Sequence, residues 1–71
     1  MTLYNAPLKT QLTITQINDK RVVTKHFKDL GLTKNSKIEV LNKAGSGIIV
    51  KSHGSIYGVD KNLANNIEVK S

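Results

Sequence analysis

The 71-residue sequence has no cysteine, so neither disulfides nor a zinc–thiolate site can hold the fold, and a small secreted disulfide scaffold is excluded. Proline occurs once, at Pro7, and the aromatic residues are three: Tyr4, Phe27 and Tyr57. No apolar run approaches the roughly 18 residues of a membrane span, and the N-terminus lacks the basic-then-apolar layout of a signal peptide. The default expectation is a cytosolic address. Length is also scarce. Scaling rules give a folded surface of roughly 4,400 Å² against roughly 11,300 Å² unfolded, which buries only about 60% and leaves one thin core layer. A two-domain enzyme is excluded and no large internal active site is expected, and residues 1–71 are read as one domain in which 1–7 form a loosely held arm.

What the chain has in excess is positive charge. Eleven Lys and Arg against five Asp and Glu leave +6, which points to nucleic acid, anionic lipid or an acidic protein face as partner, or to solubility by self-repulsion. With 38% hydrophobic and 23% charged residues the chain is composed to fold.

Alternation of apolar and polar residues predicts strands over 12–17, 37–42, 48–53, 56–59 and 67–69. Between the first two, Val22, Val23, Phe27 and Leu30 fall within an arc of roughly 140°, predicting an amphipathic helix over Arg21 to Leu30 closed by Gly31. Leu32 then folds back onto its last turn. Asn35, tolerant of positive φ, turns the chain into the second strand; Gly45-Ser46-Gly47 forms a loop and Gly54-Ser55 a tight hairpin turn. Asp60 to Asn65 suits one helical turn with Leu63 and Ala64 inward. The fold class is therefore mostly β: a small closed or half-closed barrel of five short strands with one α-helix inserted after the first strand, closure removing sheet edges that so short a chain cannot cover.

The run His26-Phe27-Lys28-Asp29-Leu30-Gly31-Leu32, followed by a turn, Ile38-Glu39-Val40, a glycine loop, Ile48 to Val50, Gly54, Val59, Ala64 and Ile67-Glu68-Val69, resembles the FeoA family from about Leu12 to Val69. The resemblance implies an SH3-like barrel, the fold also found in the C-terminal domain of DtxR-type metal-dependent repressors. It further implies an accessory role in ferrous-iron uptake with a FeoB-type transporter, whose cytosolic part is a GTPase, and an address at the inner face of the cell membrane through that partner. Asp29-Leu30-Gly31-Leu32 is its most specific piece and marks a helix stop. The sequence departs from the family pattern at Lys34-Asn35, where Pro-Gly is usual, at Gly47, where proline is usual nearby, and at Asp60, where a basic residue is usual.

Candidate docking residues follow from both readings. Arg21, Lys25 and Lys28 share about 60° of the predicted helix, opposite the apolar arc, and Lys34 and Lys37 extend this stripe across the turn. Ile49 and Ile56 are predicted to face outward across the hairpin from one another, and the segment from Met1 to Pro7, with Tyr4, is placed to cover them. His26, at the barrel rim, and His53, pointing outward beside Lys51, are the metal candidates; two histidines without an acidic cluster or cysteine are a poor donor set for ferrous iron or zinc, and no cofactor is expected. Asp19, Asp29, Glu39, Asp60 and Glu68 lack a histidine at helix or strand spacing, and Gly45 and Gly47 lack the Lys-Ser/Thr of a phosphate loop, so the sequence reads as a non-enzyme. The rivals are a basic nucleic-acid-binding barrel, against which three aromatics are few for base stacking, and a metal-responsive SH3-like interaction module.

Overall fold

The computed structural model describes residues 1–18, 28–29 and 31–71. Five strands, β1 (Gln11–Ile17), β2 (Lys37–Ala44), β3 (Gly47–Ser52), β4 (Ser55–Asp60) and β5 (Ile67–Lys70), form one antiparallel sheet in the order β4-β3-β2-β1-β5. A short helix, α1 (Lys61–Asn65), links β4 to β5 and packs on β3, β4 and β5, bridging the two ends of the curled sheet. The accessible surface is 4272 Å², close to the value that chain length alone gives. The helix predicted over Arg21 to Leu30 falls outside the described residues except for Lys28 and Asp29, which are helical.

Alternation explains the core. Leu12 and Ile14, Ile38 and Val40, Ile48 and Val50, Val59, and Ile67 and Val69 point to one side of their strands and are buried together, with Leu63 and Ala64 of α1 and Leu32 closing over them. Two bulges curl the sheet. The β1–β5 register slips between Ile14 and Gln16, and the β2–β3 register slips between Val40 and Asn42. An extra residue on one strand raises the local twist, which is how a narrow sheet bends round a thin core.

Three expectations are corrected. Residues 1–7 are not a loose arm: Leu3 and Ala6 are fully buried, and the Leu3 N–H donates to the Ile67 carbonyl at 2.8 Å. The signal was missed because Leu3, Tyr4 and Ala6 follow neither strand nor helix period, and their partners lie at the other end of the chain. Second, the β3–β4 turn is His53-Gly54, one residue earlier than expected, with both residues at positive φ (52° and 79°). Ser52 stays in β3 because it is buried and its hydroxyl donates to the Lys37 carbonyl at 2.8 Å. Third, Gly47 belongs to β3, so the β2–β3 connection shortens to Gly45-Ser46.

Two predicted turns have the expected chemistry. Asn35 has φ 74°, and its N–H donates to the Ile14 carbonyl while Ser36 accepts from Ile14, fastening the turn to β1. Gly31 has φ 89°, a region costly for residues with a Cβ; a methyl there would also meet Ser52 Oγ at 2.6 Å and the His53 ring.

Candidate protein-docking surface

The outward faces of β3 and β4 carry the most exposed large apolar side chains of the sheet, Ile49 at 42% and Ile56 at 62%. Strand alternation turns both away from the core, because Ile48, Val50 and Val59 occupy the inward positions. They are not directly opposite one another, as had been expected: Ile49 pairs with Gly58 and Ile56 with Lys51, which makes the isoleucines diagonal neighbours on one face. Nor does Tyr4 cover them. Its hydroxyl donates to the Ala44 carbonyl at 3.2 Å, and the Lys43 and Lys61 ammonium groups stand 6.0 and 5.5 Å from its ring centre, within cation–π range.

Register also organises the charge. Lys51 pairs with Glu39 across β2–β3 and with Ile56 across β3–β4, setting acid, base and isoleucine in one row. Two shallow hollows adjoin this row. One, of about 170 Å³, is lined by Lys37, Glu39, Lys51 and His53 among others; the second, of about 340 Å³, is lined by Asn35, Ser36, Lys37 and His53. Lys37 and His53 border both, so the β2 start and the β3–β4 turn form one basic end. Lys51 is the residue that sequence reasoning left out of the docking set; only the strand register reveals it. Lys28 and Lys34 are exposed, whereas Arg21, Lys25 and His26 lie outside the described residues.

Asp60 has a structural role that fits its place. Its carboxylate accepts from the Leu63 N–H at 3.1 Å as the N-cap of α1, a task that a basic residue cannot perform. Tyr57 packs against the core from β4, and burial pushes its phenol up to about 12. Tyr4 and Tyr57 are both half-buried against the core, which leaves two partly covered rings for base stacking among the described residues. Among the described residues no group of three or more His, Cys, Asp or Glu is placed to hold a metal ion, and no helix is long and apolar enough to cross a membrane.

The family model of the FeoA domain matches residues 1–71, the whole chain. The chain belongs to the FeoA family. Among solved structures, the FeoA protein from Chlorobium tepidum is 28% identical with a TM-score of 0.81, over 97% of this chain and 68% of that one. A crystal structure of an iron uptake regulatory protein (FeoA) is 22% identical with a TM-score of 0.83, covering 99% of this chain and 95% of its own. Iron(II) transport protein A from Clostridium thermocellum is 21% identical with a TM-score of 0.85; this chain spans 99% of itself but 44% of that protein's length. Those last two likenesses carry the fold alone, and the fold is the SH3-like barrel expected from the FeoA resemblance. No curated protein matches the sequence. FeoA membership supports a role in ferrous-iron transport, in a family of accessory proteins and not of known enzymes.

Proposed function

We propose that this chain is an accessory protein of ferrous-iron uptake that docks on the cytosolic region of a FeoB-type transporter. The observation that carries the reading is the joint presence, on the outer β3–β4 surface, of exposed Ile49 and Ile56 and a basic end at Lys37, Lys51 and His53. Exposed apolar groups bordered by lysines that outnumber the one nearby acid, Glu39, fit an acidic protein face better than they fit solvent. Lys28 and Lys34 extend the contact; Arg21 and Lys25 are further candidates from the sequence alone and lie outside the described residues. Iron enters as the transporter's cargo, and the chain works in the cytoplasm at the inner face of the membrane through its partner.

The test is a residue-resolved NMR titration with the soluble GTPase domain of the cognate transporter at two salt concentrations. Shifts at Lys37, Ile49, Lys51 and Ile56 that weaken with salt are expected. Binding that leaves these signals unmoved sinks the assignment of the surface, and no binding to either the GTPase domain or the intact transporter sinks the function.

A further inference from the structure

The sheet has two outer strands, and they are treated differently. The edge of β5 is occupied: Thr2 bridges Glu68, and the Val69 N–H donates to the Met1 carbonyl at 2.8 Å. Among the described residues nothing occupies the edge of β4. In its hairpin the residues flanking the two-residue turn, Ser52 and Ser55, form the hydrogen-bonded pair, and pairs alternate from there. Tyr57 and Val59 therefore direct their N–H and C=O groups to β3, while Ile56 and Gly58 direct theirs outward. Among the described residues no strand lies beyond β4 and no backbone hydrogen bond reaches those groups.

Edge strands are ordinarily blunted by lysine, proline or a bulge. Ser55–Asp60 contains no lysine or proline, and its register with β3 runs unbroken from Ser52–Ser55 to Gly47–Asp60. Beside it, Gly58 has no side chain to fill the space next to Ile49, and a hollow of about 280 Å³ lined by Ile49, Gly58 and Lys43 lies there. We propose that the β4 edge accepts an added strand from the partner protein, an extended segment with alternating apolar residues flanked by acidic ones.

The residue choice follows from the face. A strand hydrogen-bonded to Ile56 and Gly58 sets its own outward side chains beside them two positions apart, one against Ile56 and one in the hollow beside Ile49. Lys51 stands next to Ile56, and Lys43 borders the hollow, so acidic residues at the ends of the segment find opposite charge. Of the nearby acids, Asp60 lines the same hollow but spends one carboxylate oxygen on the Leu63 N–H as the cap of α1, and Glu39 lies on the far side of Lys51. A second copy is the poorer occupant, because each carries +6 and presents the same lysines. The proposal deepens the docking reading and rests on it for the choice of partner.

Edge pairing is tested apart from the transporter with a capped nonapeptide that alternates valine and threonine between glutamate and aspartate ends. Millimolar peptide is expected to slow hydrogen exchange at the Ile56 and Gly58 amides by about tenfold or more. The same peptide, N-methylated on the residues facing β4, is expected to do nothing. Ile56→Pro, which deletes an outward N–H and no bond to β3, abolishes the effect; Ile56→Thr keeps it. No protection by either peptide, or equal binding of the N-methylated one, overturns the edge assignment. Protection that rises with protein concentration without peptide, with a doubled mass, overturns the choice of a partner over a second copy. Protection by the peptide but no binding to the transporter sustains the edge and sinks the docking reading instead.

Discussion

Gly31 is the residue on which the turn region is most exacting. Its φ of 89° and its approach to Ser52 and His53 act together, since any Cβ strains the backbone and displaces the hydroxyl that holds the Lys37 carbonyl. Gly31→Ala is expected to lower stability by about 1–3 kcal/mol in urea melts, well beyond an exposed-site glycine substitution. Tyr57 gives a second residue-level expectation. Its phenol ionises at about 12 in the folded chain against 10.0 for an ordinary tyrosine, so between these values the unfolded chain has lost a proton that the folded chain keeps. The native state binds more protons there, and stability falls as pH rises from about 10 towards 12, being complete below that window. Absorbance titration should show one tyrosine ionising late, and Tyr57→Phe should remove that component. Both glycine and asparagine turns were legible from the sequence, because positive φ admits few residue types. The late ionisation of Tyr57 was not, since burial depends on what other elements bring to it.

At the scale of elements, period-two alternation was enough to locate all five strands to within one or two residues. The β3–β4 turn was misplaced by one because Ser52, polar by type, is buried by a hydrogen bond across to β2. The N-terminal segment was misjudged for a similar reason: it is held by β5 and α1, not by any pattern of its own. Leu3 is fully buried, and Leu3→Ala is expected to cost about 2–5 kcal/mol by thermal or chemical unfolding. A cost below that of an exposed leucine, Leu8 for example, would return the segment to the status of an appendage. The docking surface was half legible. Ile49 and Ile56 stood out by falling on outward positions, whereas Lys51 became their neighbour only through register.

Across the whole molecule, the charge of +6 is not spread evenly in effect, because Lys37 and Lys51 border one hollow with only Glu39 as acid between them. Reversal of Lys34 and Lys37 together to glutamate is expected to weaken transporter binding by tenfold or more at low salt, about 1.4 kcal/mol, and to flatten its salt dependence. Calorimetry checks the first effect and a melting curve checks that folding is unchanged, both side chains being exposed. Unaltered affinity removes the basic end from the interface. The seam between the N-terminal segment and β5 has a different consequence, one that concerns time. It joins backbone positions 68 apart in sequence. Contacts so remote form late and slowly, because loop entropy is lost before they return anything. The core therefore stays open during folding until the N-terminal segment has docked on β5, and the β5 edge is sheltered only as that seam closes.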